Sequence, residues 1–514
     1  MKKTIAILLV AVLAASSVFA GFSGKATVGL GVNHETKAYG FTNGTGFDVN
    51  VDLTTAESEK VAEGDIYAGI KATMGVKVAN KVAGINKGTS LWDSADKGTY
   101  GVGLFLKVAE AYVAGDNWKV SITGTQGATS YAKSFTTHKE AVKDAFGNET
   151  SDTKDVADDL TGDYGLFNKA PGVTAEVAGY KVSLGFNGTK DATTTKNFKY
   201  SNNPSATAVT KGDYTVGKYY NYNVLVETPE YDLNGVSLQV AAGASRKLDN
   251  YVPADKWGEA AAFNGVYMLP KFYQLAVNTS AKVGYSTDKL SVAVAADYDA
   301  IKYGEKETQL VSDKLFNYFD SSVKVVYAPV TVDAYYAING YLADMLKNAP
   351  KSNYKLLAHT LSAQVTTDLA AFDLPVKVTV WGKDVLNTKD FGAKAEVTVD
   401  AFKVSANGGY VIDATNTKAA ELVGKYYVGA DAEYKNDLFT AKAGVGFNSF
   451  VGKNVKDAAQ LTASASIESD VVVPGATLKL AYSAADKDQN ILKGQTNNKA
   501  YNLGKLEATC TIKF

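Results

Sequence analysis

Cysteine, arginine and proline are all scarce in this chain of 514 residues. Cys510 is the only cysteine, which excludes a disulfide framework, any cysteine-based metal site and the N-terminal cysteine of a lipoprotein. Arg246 is the only arginine, so bidentate arginine chemistry on phosphate or carboxylate is nearly absent. With nine prolines and no Pro- or Ser-rich tract, the sequence shows no linker between domains.

Catalytic and nucleic-acid-binding signals are also missing. The 53 basic and 54 acidic residues nearly balance, which leaves no basic field for nucleic acid. His34, His138 and His359 are far apart in sequence, and we interpret them as surface polar residues rather than metal ligands. No nucleophile elbow, phosphate-binding loop or His-Glu-x-x-His motif occurs. We therefore expect neither an enzyme nor a cofactor.

Long apolar runs are absent except at the N-terminus. Lys2 and Lys3 precede an apolar run at residues 5–13, and small residues up to Ala20 suit signal peptidase. Because this run is shorter than the ~20 residues of a membrane helix, we predict a cleaved secretory signal over residues 1–20. An uncleaved N-terminal anchor is the alternative. The remainder, residues 21–514, is predicted to be one architecture, exported through the general secretory route.

Strict alternation of apolar and polar residues is the dominant pattern of this remainder. Apolar Phe, Ala and Val alternate with Gly, Lys, Glu, Thr and Asp between residues 391 and 400, and residues 47–54 and 180–187 behave alike. A period of two indicates strands with one apolar and one polar face. Since no long apolar helix is available, a membrane-embedded chain of this kind must be a β-barrel.

Short and long connections alternate along the chain. The predicted tight turns are at Gly115-Asp116-Asn117, Ala178-Gly179, Asn234-Gly235, Thr287-Asp288-Lys289, Pro329, Leu374-Pro375, Asp400-Ala401, Asn436-Asp437 and Pro474-Gly475. The predicted loops are residues 127–171, 189–217, 247–271, 304–320, 340–355, 383–390, 411–424, 449–460 and 486–500. This asymmetry is typical of outer-membrane barrels, which have short periplasmic turns and long external loops. We predict a large all-β, antiparallel up-and-down transmembrane barrel of about 22 strands, in a range of 16–24.

The C-terminal segment supports this prediction. Leu506, Ala508, Cys510 and Ile512 alternate with polar residues up to the terminal Phe514. Outer-membrane barrels commonly end on such an aromatic strand, so we expect Phe514 to be a signal for the barrel-assembly machinery. Its face should meet the lipid of the outer membrane, and the opposite face should line the lumen.

That opposite face carries the candidate functional residues. A barrel of more than ~16 strands is too wide to fill with side chains and leaves an aqueous channel unless a plug domain closes it. No plug segment precedes the first strand pattern. The predicted pore-lining residues are Lys71, Lys107, Lys119, Lys181, Lys324, Asp333, Lys377, Lys394, Glu396, Asp431, Glu433, Lys442 and Lys479. They indicate at most a weak preference for anions. An equally good interpretation is that they form oppositely charged pairs that give the channel no net selectivity.

The longest loop, residues 127–171, leaves its role open. It either folds inward to narrow the pore or forms an external epitope or binding loop. Its acidic residues, Asp152, Asp155, Asp158, Asp159 and Asp163, lack calcium-loop spacing, so we interpret them as a solvated cluster rather than a metal site.

These features together resemble the major outer sheath (surface) proteins of treponemes. The resemblance rests on the chain length, the nearly arginine-free lysine usage, the Gly64-Asp-Ile-Tyr-Ala-Gly-Ile-Lys71 strand and the terminal aromatic strand. It implies pore formation together with contact between the loops and host surface or matrix proteins. It carries over no functional residue.

Two functions then compete. The first is a porin for passive diffusion of small hydrophilic solutes, with surface loops that contact the host. The second is a surface adhesin that uses the barrel as a scaffold. A homotrimer is an expectation by analogy with other porins alone.

Overall fold

The computed structural model describes the greater part of residues 21–514 and is built almost entirely of strands. It describes residues 21–33, 38–41, 46–52, 66–79, 101–125, 129–143, 149–157, 171–189, 193–200, 210–216, 219–249, 272–304, 315–341, 359–416, 421–451, 459–486 and 504–513. The predicted signal segment and Phe514 lie outside these ranges.

Twenty-eight strands are formed within these ranges. The first half comprises β1 (Gly21–Asn33), β2 (Ala38–Phe41), β3 (Gly46–Asp52), β4 (Tyr67–Ala79), β5 (Gly101–Ala114), β6 (Trp118–Thr125), β7 (Thr137–Lys143), β8 (Glu149–Ala157), β9 (Pro171–Val177), β10 (Tyr180–Thr189), β11 (Thr193–Tyr200), β12 (Thr210–Val216), β13 (Tyr219–Glu227) and β14 (Tyr231–Leu233). The second half comprises β15 (Val236–Asp249), β16 (Phe272–Ser286), β17 (Leu290–Gly304), β18 (Leu315–Tyr327), β19 (Val330–Tyr341), β20 (His359–Asp368), β21 (Val376–Lys383), β22 (Asp390–Val399), β23 (Phe402–Asn416), β24 (Glu421–Lys435), β25 (Thr440–Val451), β26 (Ala459–Val473), β27 (Ala476–Asp486) and β28 (Lys505–Lys513).

Twenty-four of these strands form one antiparallel sheet of up-and-down order. Two of the 24, β2 and β14, are short strands that share a position with another strand. β2 and β3 both pair with β1, and β13 and β14 both pair with β15. Counting each of these two couples as one position gives 22 positions, as the sequence predicts. The last strand, β28, also pairs with β1 through nine registered residue pairs, so the series of pairings returns to its beginning.

The two faces of the sheet differ sharply in chemistry. Large apolar side chains of one face are open to the surroundings: Leu184 is 51% exposed, Val428 is 53% exposed and Val445 is 59% exposed. Lysine, aspartate, glutamate, serine and asparagine occupy the other face. A water-soluble protein does not expose so continuous an apolar surface, whereas an outer-membrane barrel presents one to lipid. The chain is therefore a transmembrane barrel of the bacterial outer membrane, with the polar face inside.

The tight turns fall where the sequence places them. All nine predicted positions connect consecutive strands of the sheet. Asn234 and Gly235, for example, have φ values of 57° and 86°, which match the two left-handed residues of the hairpin turn that Asn-Gly favours. The connection at Leu374-Pro375 also contains a short 3-10 helix, Leu369–Phe372. Within the ranges given above, no helix is long and apolar enough to cross a membrane.

The long connections were predicted with less success. Residues 127–171 contain the hairpin β7–β8, and residues 189–217 contain the hairpin β11–β12, each a separate two-stranded sheet. Strand β18 begins at Leu315, inside the predicted loop 304–320, and β23 continues to Asn416, inside the predicted loop 411–424. The pairing of these strands with their neighbours extends past the point where apolar alternation stops.

The assignment of faces can be tested with two adjacent residues in the middle of β27. Leu480 lies on the apolar face and Ala481 on the polar face, opposite Ser466. We expect Leu480→Lys to reduce the free energy of unfolding from phospholipid vesicles by about 2–4 kcal/mol, because lysine at the bilayer centre is costly.

Ala481→Lys is the matched control and should change the urea midpoint little, because its side chain enters water. Equal losses in the two variants would contradict the assignment of faces.

Candidate functional site on the polar face

The register of the sheet brings the predicted pore-lining residues to one face. Cross-strand partners lie on the same side of a sheet, and residues two apart on one strand do as well. When these two rules are followed from strand to strand, twelve of the thirteen predicted residues lie on the same face: Lys71, Lys119, Lys181, Lys324, Asp333, Lys377, Lys394, Glu396, Asp431, Glu433, Lys442 and Lys479. The thirteenth, Lys107, has a backbone that pairs with Thr73, and its side chain lies outside the described residues.

Opposite charges meet along this face. On β4 to β6, Glu110 contacts Lys119 at 2.7 Å and Lys71 at 3.2 Å, and the Ser121 hydroxyl donates to Glu110 at 2.6 Å. Further nitrogen–oxygen contacts, in strand order, include Lys181–Glu227 at 4.0 Å, Lys282–Glu230 at 2.9 Å, Lys324–Asp333 at 3.9 Å, Lys394–Glu396 at 3.2 Å, Lys403–Glu396 at 3.1 Å, Lys442–Glu433 at 3.0 Å and Lys479–Glu468 at 3.4 Å. Such partly exposed pairs add little stability, so their main consequence is a nearly neutral wall.

One part of the polar face is covered by a segment of the chain itself. Residues 129–136, which precede β7, lie across β16, β17 and β18, and we call them the docked segment. Their contacts advance one strand at a time, from Asn278 on β16 to Asp297 on β17 and Ser322 on β18. Residues 129–136 of the predicted loop 127–171 therefore lie against the polar face of the barrel wall.

Asp297 is the principal anchor of the docked segment. The Tyr131 amide donates to both carboxylate oxygens at 2.9 Å, and the Ala132 amide donates to Oδ2 at 2.6 Å. The Ser130 hydroxyl lies 3.4 Å from the same Oδ2. Hydrogen bonds to a charged carboxylate are about twice as strong as those between neutral groups. The anchor thus satisfies two backbone amides and a buried charge at once.

Neutral polar residues hold the beginning and the middle of the docked segment. Asn278 bonds the backbone of Thr129 in both directions: its Oδ1 accepts from the amide at 3.3 Å and its Nδ2 donates to the carbonyl at 3.2 Å. The Ser280 hydroxyl donates to the same carbonyl at 2.9 Å. In the middle of the segment, the Lys133 amide donates to Ser322 Oγ at 3.1 Å. Most of the hydrogen bonds between the wall and the segment therefore go to the backbone of the segment.

Burial follows from these contacts. Ala132 is fully buried and Ser134 nearly so, while Lys133 between them is exposed. The Tyr131 ring lies 5.7 Å from Lys282 Nζ, measured to its centroid. Burial, followed by the negative charges of Glu227 and Asp297, raises the pKa of Tyr131 to about 12, so its hydroxyl stays protonated at neutral pH.

Sequence reasoning missed Asn278, which contacts the docked segment, and the buried acids Asp299 and Asp320 on the neighbouring strands. Asn278, Asp299 and Asp320 are completely buried, and Asp320 lies directly opposite Asp297 across two strands. Like charges that face each other destabilise a sheet, so unmatched acids on neighbouring strands were a signal that another group covers them. Asp299 accepts from Asn278 Nδ2 at 2.6 Å, and Asp320 accepts from the Tyr335 hydroxyl at 2.8 Å.

Comparisons with known proteins find only weak likenesses to solved structures. No protein-family model matches the chain, and no curated protein matches it. Among solved structures, the P pilus usher PapC translocation pore is 9% identical over 96% of this chain and 99% of that chain, with a TM-score of 0.32. OccAB3 of Acinetobacter baumannii is 9% identical over 96% and 98%, with a TM-score of 0.34. The outer membrane protein OpdK of Pseudomonas aeruginosa is 7% identical over 96% and 99%, with a TM-score of 0.34. Likeness at this level bears on neither substrate nor partners.

The anchoring of the docked segment by Asp297 can be measured through Ser134. In a Cys510→Ser background, we expect Ser134→Cys to react slowly with a charged, water-soluble thiol reagent, because the residue is buried. Adding Asp297→Ala removes at least two charge-assisted hydrogen bonds of about 1.5–3 kcal/mol each, so the reaction should accelerate by about tenfold or more.

Asp333→Ala serves as the control, because Asp333 lies on the same face and contacts Lys324 and Gln364 instead. An Asp297→Ala protein that reacts no faster than this control would show that Asp297 does not hold the segment.

Proposed function

We propose that this barrel is a porin, a water-filled channel for the passive diffusion of small hydrophilic solutes. The observation that carries the proposal is the charged inner face, on which side chains remain open to water. The Lys324 side chain is 60% exposed and the Lys442 side chain is 59% exposed, although both form ion pairs. An inner face packed with dry side chains would have buried them. A 22-position barrel is also too wide for its own side chains to fill.

We also propose that the docked segment narrows this channel. It lies on the polar wall instead of extending away from it, so it occupies cross-section that water and solutes would otherwise use. Lys133 is exposed at its surface and adds a positive charge to the passage. We therefore propose residues 129–136 as a constriction, and Asp297 as the residue that positions it.

The pairing of charges along the polar wall determines which class of solute the channel should admit. Among the described side chains of the polar wall, most lysines contact an acid on the same or a neighbouring strand, so this part of the wall has little net field. Small ions of both signs and neutral polar molecules should therefore pass, with weak selectivity at most. The twelve sequence-predicted residues act in this proposal as a wetted lining rather than as a binding site for one ion.

Planar-bilayer recording tests both parts of the proposal. The folded wild-type protein should give stable conductance steps, and a gradient of potassium chloride should give a reversal potential close to zero. Asp297→Ala should give a larger or noisier open current, because the constriction is released into the lumen. Absence of any conductance from correctly folded protein would overturn the porin function. An unchanged current in Asp297→Ala would overturn the constriction alone.

Contact with host surface or matrix proteins is a second proposed function, as in the treponemal outer sheath proteins that the sequence resembles. It is favoured by the hairpins β7–β8 and β11–β12, which pair within themselves and not with the barrel. We expect deletion of residues 137–157, which spares the docked segment, to reduce binding to immobilised matrix protein while leaving conductance intact. Deletion of residues 193–216 is the matched comparison. Undiminished binding in both deletions would contradict the adhesive role.

Two further expectations belong to this proposal. Phe514 would bind the barrel-assembly machinery during insertion. The protein would form a homotrimer, by analogy with other porins. Both concern assembly rather than permeation.

A further inference from the structure

A depression in the inner wall lies between β22 and β27, away from the docked segment. Its volume is about 430 Å³, which is within the range of small-molecule sites. Its polar lining consists of Lys394, Glu396, Lys403, Ser405, Asp431, Glu433, Lys442, Ser464, Ser466 and Lys479. Any role for it in permeation rests on the proposed channel function.

One end of the depression carries excess positive charge. Lys394 and Lys403 both contact the same oxygen of Glu396, Oε1, at 3.2 and 3.1 Å. One carboxylate thus holds two ammonium groups close together and neutralises only one of them. Their side chains are 38% and 53% exposed, so both can reach a further anion.

Excess negative charge lies two strands away. Asp431 follows Glu396 in the same cross-strand row, through Ser405, and so lies roughly 10 Å from it along the sheet. The side chain of Asp431 leans over Gly444: a Cβ at that glycine would lie 2.5 Å from Asp431 Oδ1 and 3.1 Å from Ser464 Oγ. Among the residues with described side chains, no lysine lies within ion-pair distance of Asp431, unlike the neighbouring Glu433.

The rest of the depression is neutral and lacks an aromatic platform. Lys442 is paired with Glu433, and Lys479 with Glu468. Tyr482 borders the depression but is registered opposite Ala465, on the apolar face. A planar ring or sugar would therefore find no stacking surface on the polar side. The distinguishing feature is a surplus cation beside Glu396 and a surplus anion at Asp431, two strands away.

We propose that this depression is a binding subsite for small zwitterions, namely amino acids and short peptides. The carboxylate of the solute binds Lys394 and Lys403, and its ammonium group binds Asp431. A simple anion would bind the lysines but would be repelled by Asp431. A simple cation would bind Asp431 but would be repelled by the lysines. The subsite thus selects for molecules that carry both charges.

Three probes of similar size test this proposal: the dipeptide Ala-Ala, N-acetyl-Ala-Ala without the ammonium group, and Ala-Ala amide without the carboxylate. Open-channel conductance in potassium chloride is recorded first, and each probe is then titrated for reduction of that current. We expect Ala-Ala to act at a concentration about fivefold lower than either analogue, since each partly exposed ion pair contributes at most about 1 kcal/mol.

Two variants assign the recognition. Asp431→Asn should abolish the preference over N-acetyl-Ala-Ala, and Lys394→Gln/Lys403→Gln should abolish the preference over the amide. Lys71→Gln is the control, because Lys71 shares Glu110 with Lys119 in the same manner on β4 to β6. Equal action of the three probes, or unchanged preferences in both variants, would overturn the subsite while leaving the porin intact. Stronger action of N-acetyl-Ala-Ala would show an anion site in place of a zwitterion site.

Calorimetric titration of the same probes against folded protein in detergent separates the subsite from the channel. Binding with the same order of preference supports the subsite even if no conductance is found, in which case only the porin function fails. No preference among the three probes in calorimetry overturns the subsite.

Discussion

The pairing of each of the 22 strand positions with two neighbours is the constraint on which the rest of the structure depends. Lipid offers no hydrogen bonds, so backbone amides and carbonyls in the membrane must satisfy one another, and the pairing of β28 with β1 leaves neither end strand without a partner. Because side chains alternate along a strand, a slip by one residue would exchange the two faces. The register therefore fixes at once which residues meet lipid and which meet water.

The charged side chains of the polar face are stabilised in two different ways. Along most of the wall, lysines and acids from neighbouring strands contact each other. On β17 and β18, Asp297 and Asp320 face each other without a lysine between them. There the backbone amides of Tyr131 and Ala132 take the place of a cation. The docked segment thus lies where two acids of neighbouring strands face each other, and the depression near Asp431 is another departure from matched pairing.

Much of the fold could be predicted from the sequence because its determinants are local. Alternation assigns faces, and turn residues such as Asn234-Gly235 assign hairpins, which together give the strand count and the twelve residues of the polar face. The docked segment could not be located in this way, because Tyr131 and Asp297 are separated by 166 residues and no periodic pattern connects them. The beginning of β18 at Leu315 was missed because residues 315–319 carry apolar or aromatic side chains at both odd and even positions, so no alternation marks the strand, although it pairs with β17.

The central claim is that the polar face borders a continuous aqueous path, and cysteine scanning of β24 tests it most directly. Residues 425–433 would be replaced one at a time in a Cys510→Ser background and treated with a charged, water-soluble thiol reagent during bilayer recording. The account predicts modification and current reduction at every second position, the set that contains Tyr427, Asp431 and Glu433. Modification of the intervening set that contains Val428, or current reduction without a period of two, would contradict it.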